Sequence, residues 1–142
     1  MLKEGSLVYF NPFVFKNGAK PKPKYFVVLA MMDSGNLLLA SLPTSQDHVP
    51  SDVNIVRGCV NIPESNVNAF VFEKGDRVTE SFCFPLRTYI YGEQIDDYTM
   101  GYIDSMSANM TDLGVLSSDL LTSLRTCLKQ ATNIKRSYRN KL

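Results

Sequence analysis

KPKPKYFVVLAMMDSGNLLLASLPTSQDHVP, Lys20 to Pro50, decides the fold. A lysine- and proline-rich lead-in delivers the chain into an apolar run, Tyr25 to Ala30. Asp33-Ser34-Gly35-Asn36 is a turn signal, and a second apolar run follows from Leu37 to Leu42. Two continuous apolar runs joined by such a turn predict a buried β-hairpin. The second run breaks at Pro43 into a polar loop, Thr44 to His48, which holds the single histidine of the chain.

Outward from the hairpin the same grammar repeats. Gly5 to Phe10 (GSLVYF) suits a strand that Asn11-Pro12 should end, because proline cannot donate to a ladder. Lys16 to Lys24 (KNGAKPKPK) is predicted as a loop stiffened by Pro21 and Pro23. Its four lysines form either a solvated mobile loop or a phosphate-binding lid. After the hairpin, Asn54 to Ile62 is a run whose mid-run glycine suggests a bulge or bend. Ala69 to Phe72 and Arg87 to Tyr91 are further strands, and Arg77 to Phe84 is one short extended piece. Gly92 to Asp97 leaves the last of these as a loop. Tyr98 to Met110 suits one or two helical turns, and Asp112 to Leu116 a turn and a short strand.

Ser117 or Ser118 is a good N-cap, with Asp119 placed for the helix dipole. Leu120, Leu124, Cys127 or Leu128, Ala131, Ile134 and Tyr138 then recur at three- and four-residue intervals. This predicts an amphipathic helix over about 118–138. Short strands followed by one helix predict a mainly β fold, a small barrel with a C-terminal amphipathic helix. At 142 residues it is one domain, 1–142, large enough to bury a core.

Composition narrows the function. The net charge of +1 leaves any polyanion site to local clusters of lysine and arginine. Cys59, Cys83 and Cys127 are odd in number and widely spaced, and one histidine cannot complete a zinc site, so no metal is expected. They are predicted to be reduced, mostly buried thiols. The opening MLKEGSLVYF has no long apolar run of the signal-peptide kind, and no stretch reaches the ~20 apolar residues of a membrane span. A cytoplasmic protein without a membrane segment is the expectation.

There is no G-x-S-x-G, no P-loop and no G-x-G-x-x-G. Asp96-Asp97, adjacent in a predicted loop, suits turn and cap material better than an acid/base couple. What remains is a cluster at one edge of the hairpin. The start of its first strand and the end of its second lie side by side in an antiparallel pair, which brings Lys22 or Lys24 near Thr44 and Ser45. A fixed cation beside hydroxyls can hold a phosphate and stabilise charge growing on it. His48 is either an acid/base near neutral pH or a surface side chain.

These residues, in this order, resemble the MazF/PemK family of toxins from toxin–antitoxin systems. GSLVYFNPF is similar to the family's first strand and its D/N-P turn. KYFVVLA resembles the strand that opens with R-P, and LASLPTS the next strand, which ends in Pro and Thr/Ser. YIYGEQIDDY and LGVLSSDLLTSLRTCLKQ resemble the D-Q-[IV] strand and the closing helix. The resemblance implies an SH3-like barrel, usually a homodimer, with no cofactor. It implies a metal-independent endoribonuclease that cleaves single-stranded RNA to 2′,3′-cyclic phosphate ends and is inhibited by a small antitoxin protein. Thr44 matches the family's hydroxyl, with Ser45 beside it. The family's arginine is absent: Lys24 takes its place if the apolar run is aligned without a gap, Lys22 if the proline is honoured. Lysine keeps the charge and loses the two-pronged grip on phosphate. The expected catalytic residues are therefore Lys24, Thr44 and His48. Lys20, Lys22, Ser45 and Gln94 are expected to bind substrate, with Gln94 orienting its neighbours. The alternative is a barrel of the same kind that binds protein or nucleic acid and does not cleave.

Overall fold

The computed structural model describes residues 2–42 and 58–142. Thr44, Ser45 and His48, and the first part of the Asn54–Ile62 run, lie outside the described residues. The hairpin forms as predicted. Strand β1 (Ser6–Phe13) pairs with β2 (Lys22–Met31), which pairs with β3 (Leu37–Leu42). The turn closes with Met32 N–H donating to Asn36 O and Gly35 N–H to Met32 O. Strands β4 (Gly58–Ile62) and β5 (Val67–Phe72) flank a 3-10 turn at Pro63–Ser65. Strands β6 (Arg77–Thr79) and β7 (Phe82–Cys83) form a small ladder. Strand β8 (Thr88–Tyr91) leads through a 3-10 turn, Gly92–Gln94, into β9 (Ile95–Tyr98). Helix α1 (Met100–Asp104), a 3-10 turn at Ser107–Asn109 and β10 (Met110–Val115) follow. Helices α2 (Ser118–Leu128) and α3 (Arg136–Arg139) close the chain.

The fold is mainly β. One antiparallel sheet has the order β10-β1-β2-β3-β9, a second β4-β5-β8. Side chains alternate along a strand, and both faces of the five-stranded sheet are apolar and covered. Leu7, Val27, Leu38 and Ala40 pack with Phe70, Ile90 and the apolar stripe of α2. On the other face Val8, Phe10, Phe26, Val28 and Leu39 pack with Phe13, Tyr98, Ile103 and Met106. Burial on both faces explains why β2 and β3 read as unbroken apolar runs.

Several sequence expectations are corrected. Strand β1 does not end at Asn11-Pro12; its register with β2 shifts between Phe10 and Phe13, so the missing proline N–H falls in the irregular stretch. Lys22 to Lys24 belong to β2, not to the preceding loop, because Lys22 pairs with Phe13 and Lys24 with Phe10. Arg77 to Phe84 holds two strands where one was expected. Ile95-Asp96-Asp97-Tyr98 is a strand against β3, not part of a loop. Its carboxylates are satisfied from elsewhere: Asp97 accepts from Asn36 (2.8 Å) and Tyr138 (2.6 Å), and Asp96 pairs with Lys16 (3.1 Å).

The helix expected over about 118–138 stops at Leu128. Arg139 turns back and donates to Lys129 O (3.2 Å) and Ala131 O (2.8 Å), taking up carbonyls left free beyond the last turn of α2. Ala131, Ile134 and Tyr138 are buried all the same, through a turn and the short α3. At the other end Ser117 is the N-cap and accepts from Leu120 N–H. The cysteines are not all reduced, nor mostly buried. Cys59 on β4 and Cys127 on α2 form a disulfide with a Cα–Cα distance of 5.5 Å, and Cys83 is free and exposed. Sequence spacing conceals this pair because the two residues are 68 positions apart and meet only when α2 packs on the second sheet. Among the described residues no helix is long and apolar enough to cross a membrane.

Candidate nucleic-acid interface

Alternation along β2 puts Lys22, Lys24 and Phe26 on one face of the sheet. Phe26 enters the core beside Phe13 and Tyr98, while Lys24 is half-buried and Lys22 exposed. Across the ladder Ser41 of β3 pairs with Phe26. Lys24, Ser41, Gln94, Asp96, Phe15 and Tyr98 line a cavity of about 280 Å³. A second, open depression of about 530 Å³ is lined by Lys20, Lys22, Lys24 and the same Phe15. The two share Phe15 and Lys24 and so adjoin at the start of β2; together they make the lysine groove.

The groove is organised by aromatic rings and cations. The ammonium groups of Lys22 and Lys24 each stand 5.9 Å from the Phe15 ring centroid, within cation–π range. Lys16 stands 4.5 Å from the Tyr98 ring centroid, donates to Asp97 O (2.6 Å) and pairs with Asp96. Lys16 is therefore committed to structure. Lys20, Lys22 and Lys24 make no ion pair among the described residues.

Burial lowers the Lys24 pKa below the ordinary lysine value, with the charge of Lys22 adding to the effect. Burial, then the carboxylate of Asp96, pushes the Tyr98 hydroxyl up to about 12, so it stays protonated at neutral pH. Gln94 Oε1 accepts a long, 3.5 Å hydrogen bond from the Ser41 hydroxyl. Glu93 lines the same cavity. Lys20, Lys22, Lys24 and Gln94, named from sequence, thus meet at one groove. Sequence reasoning missed Phe15, Ser41 and Tyr98. A signal for Ser41 exists, a lone hydroxyl within the run Leu37–Leu42, but its partner Gln94 comes from the turn after β8, far away in sequence.

Chemically, the groove sets the Lys22 and Lys24 cations beside the partly buried Phe15 ring. Single-stranded nucleic acid is held in this way, phosphates on lysines and bases against rings. Among the described residues no group of three or more His, Cys, Asp or Glu side chains is placed to hold a metal ion. In comparisons with family models, with curated proteins and with solved structures, nothing matches the chain.

Proposed function

We propose that the protein binds single-stranded RNA in the Lys20–Lys24 groove and cleaves it without a metal, as the toxin of a toxin–antitoxin pair. The observation that carries this reading is Lys24. Its half-buried ammonium shares a cavity with Ser41 and Gln94 and shares the Phe15 ring with Lys22. A cation already stripped of part of its water interacts more strongly with a phosphate than a solvated one does. In the proposed reaction the RNA's 2′-oxygen attacks the adjacent phosphorus and the 5′-oxygen leaves. The products are a 2′,3′-cyclic phosphate and a 5′-hydroxyl. Lys24 stabilises the charge on the phosphoryl oxygens, Thr44 supplies a hydroxyl, and His48 moves a proton. Lys20, Lys22 and Ser45 hold the strand, and Gln94 orients Ser41.

The same reading takes the fold as a small SH3-like barrel that forms a homodimer in the cytosol and meets a small antitoxin protein. In support of the barrel, the separate sheets approach one another, β3 near β8 and β10 near β6. The Cys59–Cys127 bond counts against the cytosol in this reading, since disulfides persist mainly in oxidising compartments. A second reading, a barrel that binds RNA without cleaving it, is favoured by one observation. A lysine stands where two-pronged phosphate recognition asks for arginine.

The test is incubation of mixed-sequence single-stranded RNA with the purified protein in excess EDTA, beside the Lys24→Ala and Thr44→Ala variants. Cyclic phosphate ends from the wild type, at least 100-fold fewer from either folded variant, support cleavage. Binding without cleavage supports the second reading. Failure to bind any RNA removes both.

A further inference from the structure

A separate cavity of about 190 Å³ lies where the 3-10 turn Pro63–Ser65 and β5 meet the segment after α2. Its lining is dominated by amides: Asn61, Asn66, Asn68 and Asn133, with Tyr91 and Glu93 in the wall. Two are braced. Asn68 Nδ2 donates to Asn61 Oδ1 (3.2 Å) and Cys127 O (2.8 Å), and Asn61 Nδ2 donates to Gln130 Oε1 (3.0 Å). Asn66 sits in the left-handed region at φ 53, its Oδ1 accepting from Thr132 Oγ1 (3.2 Å). Its amide N–H groups make no hydrogen bond among the described residues. The same holds for the exposed Glu93 carboxylate, which forms no ion pair there either.

Glu93 lines both this cavity and the lysine groove. The amide cavity and the Lys24 cavity are therefore neighbours at that side chain. We infer that this cavity is a base-recognition pocket and that it takes guanine. The volume is below the ~300–1,000 Å³ of pockets for drug-sized ligands and suits a single base. Guanine alone among the four RNA bases presents two adjacent donors, N1–H and N2–H, to a carboxylate. Adenine and cytosine set an acceptor beside their amino group, and uracil flanks its single N–H with two carbonyls. Each of these meets the Glu93 oxygens with lone pairs. The amide N–H groups of Asn66 and Asn133 supply donors for guanine O6, so a base that turns acceptors to the carboxylate or donors to the amides makes fewer hydrogen bonds.

The inference rests on the single-stranded RNA reading of the groove, and its test separates the two. The four nucleoside 5′-monophosphates are titrated into the isotope-labelled full chain and followed by amide chemical shifts. Saturable shifts at Ser65, Asn66 and Asn133 with the guanosine nucleotide, at least tenfold tighter than with the other three, are expected. Asn66→Gly, which suits the left-handed backbone and preserves the fold, should weaken guanosine nucleotide binding at least threefold. Glu93→Gln, which replaces one acceptor by a donor, should erase the preference. Equal response to all four nucleotides, shifts confined to Lys22 and Lys24, or no shifts overturn the pocket. Oligouridylate binding that is lost in Lys24→Ala measures the groove independently, so the pocket can fail while the groove stands, and the reverse.

Discussion

Lys24 trades stability for charge. The folded state binds its proton less tightly than the unfolded chain, because burial and Lys22 both oppose the ammonium. Stability is therefore reduced where both states carry the proton and is regained as pH rises through the lowered folded pKa towards 10.5. Lys24→Met should be no less stable than the wild type at pH 7 by thermal melting, and should lose the alkaline part of that pH dependence. It should also bind single-stranded RNA more weakly, with a salt slope smaller by about 0.7 for one lost phosphate contact. Asp97 has the opposite sign. Hydrogen bonds from Tyr138 first and Asn36 second hold its carboxyl below 3.8, so it contributes stability above that pH and loses it as the pH falls through the folded value. Tyr138→Phe should cost about 1 kcal/mol at pH 7, and the difference should shrink as Asp97 protonates, a result that urea titrations at pH 7 and pH 2.5 would show. The lysines were legible in the sequence because charge clusters are local. The commitment of Lys16 to Asp96 was not, since it joins residues from distant elements.

At the scale of elements, strong apolar periodicity was legible and exceptions to it were not. The hairpin β2–β3 and the start of α2 follow from runs and a cap. Strand β9 was hidden because two of its four residues are acidic, and its place depends on bonds from Asn36, Lys16 and Tyr138. The stop of α2 at Leu128 was hidden because the apolar spacing continues through Tyr138 while Arg139 draws the backbone away from the helix. The turn Gly92–Gln94, which sets Glu93 and Gln94 at the groove, depends on close packing. A Cβ at Gly92 would lie 2.4 Å from Asn68 Oδ1 and 2.5 Å from the Ala131 Cβ. Asn68 is held by its own hydrogen bonds and cannot withdraw freely. Gly92→Ala should destabilise by about 1–3 kcal/mol in urea titration, and should disturb the amide cavity before the lysine groove.

For the whole molecule, the Cys59–Cys127 bond joins the second sheet to α2 across 68 residues of sequence. Cys59→Ser should lower stability by about 2–4 kcal/mol under oxidising conditions, since a long loop is then no longer closed in the unfolded chain. Adding reductant should bring the wild type to the level of the variant. Three of the residues named from sequence, Thr44, Ser45 and His48, lie outside the described ones. The central claim therefore rests on the groove from Lys20 to Lys24 with Phe15 and Gln94. Its most direct test is fluorescence anisotropy of a labelled single-stranded RNA of about twelve nucleotides, with the matching duplex and the Lys22→Ala/Lys24→Ala double variant alongside. Saturable, salt-sensitive binding of the single strand is expected, with at least tenfold weaker binding of the duplex and at least tenfold loss in the folded double variant. Equal affinity for duplex and single strand, or unchanged affinity in the double variant, would contradict the claim.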